Sequence, residues 1–170
     1  LAGGALESLA ENLSDGFVAP LVWYVGGGPL GALGYRVANT LDSRIGYHGR
    51  YEWFGKPAAR FDDVINLLPA RLTAVCLAAA ALALKGCDGV QGLRVGWRDC
   101  ARCESPNAGW PMATMAGLLG VRLEKAGHYS LGVRRRPLDA ASIKDGLKAF
   151  QLAYAIVAVL AVGAAAAFNS

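Results

Sequence analysis

Apolar positions collect into three runs along the chain. Residues 149–168 carry no charge, residues 65–84 carry only Arg71, and residues 16–35 carry none but are interrupted by Gly26-Gly27-Gly28-Pro29. A helix needs ~20 apolar residues to cross a bilayer core. The pattern predicts an all-α, polytopic helical membrane protein with kinked or re-entrant helices joined by polar loops. A soluble alanine-rich bundle is the bland alternative, and three such runs in one chain weigh against it.

Between these runs the periodicity changes. Over residues 5–15, Glu7, Glu11 and Asp15 recur at i, i+4 and i+8 with Ser8 and Ser14 beside them, while Leu6, Leu9 and Leu13 take the other side. This spacing predicts an amphipathic helix, with Gly16 as its C-cap or a hinge. An apolar helix follows, broken or bent at 26–29 and resuming over 30–41. Residues 42–60 (Asp42, Tyr47, His48, Arg50, Tyr51, Trp53, Phe54, Lys56) read as an extramembrane loop with interfacial aromatics. A helix is predicted over 61–84. Pro69 inside it removes the donor for the Ile65 carbonyl, so a kink is expected there. Residues 86–96 are glycine-rich and read as a loop. Residues 98–111 form a second polar segment, and Pro111 can open a helix. The apolar stretch 112–123 is too short to span and reads as re-entrant or buried. Residues 124–145 read as a polar loop.

Composition narrows the class. The chain has 170 residues, 54% hydrophobic and 18% charged, with a mean hydropathy of +0.32, less charged than an average soluble domain. The net charge of +4 is modest. The basic run Arg134-Arg135-Arg136 reads as a cytoplasmic anchor, and no nucleic-acid-binding motif accompanies it. Cys100-Ala-Arg-Cys103 has metal or redox spacing, but His48 and His128 are the only histidines and lie far apart, so free thiols are the expectation. The chain begins at Leu1 with no secretory signal.

Three polar constellations could carry chemistry. Glu7, Glu11, Asn12 and Asp15 suit Mg²⁺ or general-base work, or else form a solvated face. Asp62, Asp63 and Asn66 share a face at the mouth of an apolar helix, with Arg60 just before them and Arg71 further along. The helix dipole explains the aspartates but not Asn66 or Arg71, and an arginine at that depth calls for an anionic partner. Arg98-Asp99 precedes Ser105-Pro106-Asn107-Ala108-Gly109-Trp110-Pro111, where Asn107 and free N–H groups could hold an anion and Trp110 could stack on a flat ligand. There is no P-loop, no nucleophile elbow and no histidine-rich metal motif.

Taken together, E-S-L-A-E-N-L-S-D-G at 7–16, D-D-V-I-N-L-L-P-A-R-L-T at 62–73 and S-P-N-A-G-W-P at 105–111 with M-A-G-L-L-G-V at 115–121 resemble the CbiB/CobD family. Asn39-Thr40-Leu41-Asp42 and Phe54-Gly55 fit in order. The resemblance implies a polytopic, multi-pass inner-membrane protein of cobalamin biosynthesis and adenosylcobinamide-phosphate synthase activity. That reaction joins adenosylcobyric acid, a corrinoid, to aminopropanol phosphate or a related amino alcohol, driven by ATP as co-substrate and Mg²⁺. The implied catalytic groups are Glu7, Glu11, Asp15, Asp62 and Asp63, with Glu11, Asp15 and Asp63 as Mg²⁺ ligands. Asn12, Arg60, Asn66, Arg71, Arg98, Ser105, Asn107 and Trp110 are the implied substrate and phosphate contacts. Partners are the two substrates and membrane lipid, with no nucleic acid.

Residues 1–170 read as one membrane domain lacking the family's N-terminal half, so a separate N-terminal half is a further candidate partner. The family often has Glu after the final proline of its S-P-N motif, where this chain has Met112. A membrane transporter or scaffold subunit of the same pathway, or an inactive fragment of the synthase, is the competing reading.

Overall fold

The computed structural model describes residues 2–45 and 52–168. The loop readings on Tyr47, His48, Arg50 and Tyr51 lie outside the described residues. Helix α1 (Ala2–Leu13) forms because Leu6, Ala10 and Leu13 recur on one face, and all three are fully buried. The helix does not end at Gly16. It winds through one π-turn over Ser14–Val18, closed by the Ala19 N–H on the Ser14 carbonyl, and runs on into α2 (Ala19–Ile45). Gly16 is therefore neither cap nor hinge.

The break comes at Gly28, whose φ of 62° and ψ of −156° are accessible to glycine and strained for other residues. Pro29 then starts the returning helix with φ already set. The two arms fold onto each other. The Tyr35 hydroxyl lies 3.3 Å from the Asp15 carbonyl oxygen, although a straight helix would hold residues that far apart in sequence ~30 Å apart. The long apolar stretch Ala2–Arg44 thus folds back on itself at Gly28, in keeping with the break expected over 26–29.

Helix α3 (Glu52–Ala81) begins well before Phe61 and absorbs the second half of the expected loop. Ala58 and Ala59 favour helix there, and Lys56 lies 5.3 Å over the Trp53 ring one turn away. The backbone stays helical through Pro69. The Ile65 carbonyl that Pro69 leaves without a donor instead accepts a hydrogen bond from Trp23 Nε1 at 3.1 Å.

The glycine-rich stretch expected to be a loop is helix α4 (Gly89–Asp99), capped by Asp88, whose Oδ1 accepts from the Gln91 N–H at 2.9 Å. Its glycines form a contact face rather than a break. A Cβ on Gly117 of α5 (Gly109–Leu119) would lie 2.7 Å from Val95 Cβ and 2.9 Å from Gly92 Cα, and a Cβ on Gly96 would collide with Thr114 Oγ1. Small residues let two backbones approach this closely. Packing therefore overrides the poor helix propensity of glycine. At ~1.5 Å per residue, α5 is too short to span, and it is buried over nearly its whole length, with Met112, Met115, Leu118 and Leu119 in the core.

Residues 124–145, expected as a loop, carry structure at both ends. Strands β1 (Arg122–Lys125) and β2 (Tyr129–Gly132) pair antiparallel, with Leu123 opposite Leu131 and both buried. Helix α6 (Ala140–Phe168) starts after Asp139, whose Oδ1 accepts from the Ser142 N–H at 3.0 Å. Among the described residues this hairpin is the one sheet, and the remaining regular elements are helices. Among the described residues, three helical stretches are long and apolar enough to cross a membrane: Ala2–Arg44, Gly55–Ala81 and Ala140–Ala167.

Candidate functional site

The π-turn, the returning arm of α2, the first half of α3, the segment 103–108 and the β-hairpin enclose one cavity of about 680 Å³. Six carboxylates line it: Glu11, Asp15, Asp42, Asp62, Asp63 and Glu104. Two neighbouring polar networks hold the α3 pair. In the first, buried Asn66 accepts from the Tyr35 hydroxyl at 3.0 Å and donates Nδ2 to Asp62 Oδ2 at 2.8 Å, while Asn39 Nδ2 reaches Asp62 Oδ1 at 3.4 Å. In the second, Asn107 donates Nδ2 to the Asp63 carbonyl at 2.7 Å and lies 3.4 Å from Asp63 Oδ1, with the Ser105 hydroxyl 3.5 Å from the same oxygen. A carboxylate held by amides keeps its position and still has lone pairs for a ligand.

The π-turn explains how Asp15 joins them. One extra residue in the turn rotates the acidic stripe of α1 relative to the apolar face that continues into α2. A polar group can then sit in the cavity on an element whose next turn packs in the core.

The structure sorts the sequence-derived candidates. Glu11, Asp15, Asp62, Asp63 and Ser105 line the cavity. Asn66 and Asn107 stand behind it and hold its carboxylates. Glu7 sits behind the wall near Tyr129, with Oε1 buried and without a hydrogen-bond partner. Asn12 turns away, its Nδ2 donating to the Ser8 carbonyl at 2.8 Å on the exposed side. Arg60 is exposed and outside the lining.

Arg71 also lies outside the lining. Its Nη1 donates to Asn107 Oδ1 at 3.0 Å and to the Leu67 carbonyl at 2.7 Å, and its guanidinium lies 5.2 Å over the Trp110 ring. Trp110 therefore stacks on a protein cation and meets Trp97 edge-on at 5.6 Å. Arg98 forms a fork on Asp99, Nε to Oδ1 at 2.8 Å and Nη2 to Oδ2 at 2.6 Å. Burial raises the Asp99 carboxyl, but Arg98, the Gly132 N–H and the charge of Arg102 outweigh it and hold it below the usual range. That pair ties α4 to the β-hairpin.

Tyr35, Asn39, Asp42, Ser43, Glu104, Lys125, His128 and Tyr129 were not among the sequence-derived site residues. Tyr35, Asn39, Asp42 and Ser43 recur at i, i+4, i+7 and i+8, a polar stripe on an otherwise apolar helix that marks the face turned to the site. Tyr129 is driven up by burial and then by the Glu7 charge, so its hydroxyl stays protonated.

Cys103 lines the cavity. Burial first, and then the charges of Glu11 and Glu7, push its thiol up to about 11, which removes thiolate chemistry at neutral pH. Cys100 and Cys103 are both free.

Among the described residues, no three His, Cys, Asp or Glu side chains converge into a ready cation cage. Mg²⁺ usually takes one or two carboxylates and leaves its other positions to water and phosphate oxygens. The oxygen donors of Glu11, Asp15, Asp62 and Asp63 fit an ion of that kind arriving with phosphate.

Comparison with known proteins gives the same reading as these motifs. The family model described as CobD/Cbib protein matches residues 1–157. A protein of Dehalococcoides mccartyi named "Cobalamin biosynthesis protein CobD" is 48% identical over 163 residues, covering 96% of this chain and 53% of its own length. Proteins of the same name from Klebsiella pneumoniae subsp. pneumoniae and Rhodobacter capsulatus are 47% identical over 142 residues and 50% identical over 138 residues. They cover 82% and 81% of this chain and 44% and 42% of their own lengths. The chain thus spans about half the length of the curated relatives it matches. No solved structure matches it. A family model that fits nearly the whole chain, with relatives near half identity along most of it, establishes that the chain belongs to the CobD/CbiB family.

Proposed function

We propose that this chain carries the acid-lined part of an adenosylcobinamide-phosphate synthase acting in cobalamin biosynthesis at the inner membrane. The reaction is ATP-dependent amide formation between adenosylcobyric acid and aminopropanol phosphate or a related amino alcohol. The observation that supports it most is the single cavity into which two widely separated phrases, residues 7–16 and 62–73, bring four carboxylates, with the 105–111 phrase at its edge. At about 680 Å³ it falls in the range of small-molecule sites. It can admit the reacting carboxylate arm and the amino alcohol while the rest of the corrinoid stays outside.

A carboxylate does not condense with an amine in water until it is activated. In the proposed sequence a carboxylate oxygen of adenosylcobyric acid takes the terminal phosphoryl group of ATP and ADP leaves. The amine nitrogen then attacks the acyl carbon, phosphate leaves, and the amine proton passes to a carboxylate of the cavity. Mg²⁺ bound with the nucleotide supplies charge neutralisation on the phosphates. Glu11, Asp15 and Asp63 are the candidate ligands. Asp62, fixed through Asn66 and Asn39, is the candidate base. Asn107 and Ser105 hold Asp63 in place.

The test is mass detection of the corrinoid amide in membranes containing the protein, with and without an N-terminal half supplied as a separate chain. Product is expected only with ATP, and it should be lost in Glu11→Gln and Asp63→Asn. Full turnover in both variants would remove these carboxylates from the chemistry.

A further inference from the structure

The sequence offered Arg60, Arg71 and Arg98 as phosphate-binding cations, and the structure places none of them in the cavity lining. Arg71 is held by Asn107 and the Leu67 carbonyl. Arg98 and Arg102 both sit on Asp99, and Arg136 and Lys148 both sit on Asp145. Among the described lining residues, Lys125 is the one side chain with a permanent positive charge; no salt bridge joins it to these carboxylates, although its charge acts on Glu11 through space.

Strand alternation explains its orientation. Successive side chains of a strand point to opposite faces. Lys125 therefore shares a face of β1 with the fully buried Leu123, and its partner across the ribbon is Tyr129, another residue of the cavity wall. On the opposite face Arg122 and Glu124 pair with each other at 2.9 Å. The His128 N–H closes the turn on the Lys125 carbonyl at 3.0 Å, and Leu123 and Leu131 anchor both strands.

We infer that Lys125 is the phosphate-receiving cation of this cavity, presented by the β-hairpin to the phosphate group of an incoming co-substrate. The inference rests on the proposed synthase reading for the identity of the co-substrate. It does not rest on that reading for the chemistry: the Lys125 ammonium, engaged only through space by Glu11, is the one permanent cation among the described lining residues that can attract an anion. Two phosphate sources share this chemistry, the amino alcohol phosphate and the nucleotide.

The test uses the protein in its membrane, as wild type, Lys125→Met and Lys125→Arg. Equilibrium binding is measured for aminopropanol phosphate, for magnesium tripolyphosphate and for unphosphorylated aminopropanol. Lys125→Met should weaken at least one phosphate probe about tenfold or more, the scale of a lost charge-assisted hydrogen bond. Lys125→Arg should recover most of that loss, and aminopropanol binding should not change. Loss confined to aminopropanol phosphate assigns Lys125 to the amino alcohol; loss confined to tripolyphosphate assigns it to the nucleotide.

Unchanged binding of both phosphate probes in Lys125→Met, or no binding of either by the wild type, overturns the inference. Amide formation is followed in parallel. A wild type that makes no amide even with the N-terminal half supplied, but binds tripolyphosphate through Lys125, would remove the synthase reading and leave this inference standing. Normal amide formation with lysine-independent binding would do the reverse.

Discussion

Two hollows of similar size share helices α2 and α3 and differ in almost everything else. The acid-lined cavity holds about 680 Å³. The second, about 770 Å³, lies among α2, α3 and α6 and is lined by residues such as Leu21, Val22, Val64, Leu68, Val157 and Leu160. They come within one residue of each other on α3, where Asp63 faces one and Val64 the other. Each step along a helix turns the side chain by ~100°, so a single helix can serve both environments.

The two hollows also settle their polar groups differently. In the first, amides of Asn39 and Asn66 hold the Asp62 carboxylate and Asn107 reaches one Asp63 oxygen while bonding its backbone carbonyl, which leaves oxygen lone pairs for a ligand. In the second, the backbone carbonyl freed by Pro69 is capped by Trp23, which leaves an apolar wall. Polarity in this molecule follows helix faces rather than chain segments.

The strongest way to break this division is to carry the apolar face across it. Asp63→Leu should lower amide formation by about a hundredfold or more, the scale of losing a positioned acid–base or ligand group. The thermal midpoint should stay close to wild type, because Asp63 is only partly buried. Amide yield measured beside thermal unfolding in detergent checks it, and near-normal yield would detach the carboxylate from function.

Asn66→Leu tests the support of the cavity. Asn66 is 2% exposed, and its loss removes the partner of one Asp62 oxygen and leaves the Tyr35 hydroxyl only the longer bond to the Asp15 carbonyl, costing about 1–3 kcal/mol in stability. Tyr35→Phe removes one hydroxyl, shared between Asn66 and the Asp15 carbonyl, and should cost about 1 kcal/mol. Comparing the two unfolding curves shows whether the network acts through Asn66.

A control outside both hollows comes from Asp99. Its carboxyl is held below the ordinary range in the folded protein. The stabilisation is therefore fully present above the unfolded value of ~4 and is lost as pH falls through the lower folded value. Asp99→Asn should flatten the stability profile in that acidic window by about 1 kcal/mol, a figure kept small because the Arg98 side chain is 48% exposed and solvent screens the pair. Unfolding midpoints between pH 5 and the onset of acid unfolding measure it. Equal slopes in the two proteins would reject the assignment.

Much of this division was legible along the chain. The acidic period on α1 and the Asp62-Asp63-Asn66 face needed only helical geometry. The break at Gly26-Gly27-Gly28-Pro29 needed only backbone sterics. What local pattern could not give was which cations face inward. Arg71 and Arg98 have the right chemistry, but Arg71 is engaged by the distant Asn107 and Arg98 by its own neighbour Asp99, while Lys125 sits in a stretch that reads as a loop. The glycines of α4 misled for a related reason. Their value lies in contact with α5 across the helix interface, which no propensity along one segment reports. Asp42 stayed hidden because the cavity wall it joins exists only after α2 folds back on itself.

The smallest expected effect is the most diagnostic of the apolar hollow. If Trp23 serves there by capping the Ile65 carbonyl, its N–H matters only while Pro69 withholds the normal donor. Trp23→Phe keeps most of the ring area and removes the N–H. It should cost about 0.6 kcal/mol, the average for a side-chain hydrogen bond in a membrane protein. Pro69→Ala returns an N–H to residue 69, four positions after Ile65, so the carbonyl regains its intrahelical bond. In that background Trp23→Phe should cost close to nothing. The coupling energy from the double-mutant cycle, read from unfolding in detergent, should then equal nearly the whole single-mutant loss. Independent effects of the two substitutions would mean that Trp23 contributes by packing alone and that the Ile65 carbonyl is satisfied in another way.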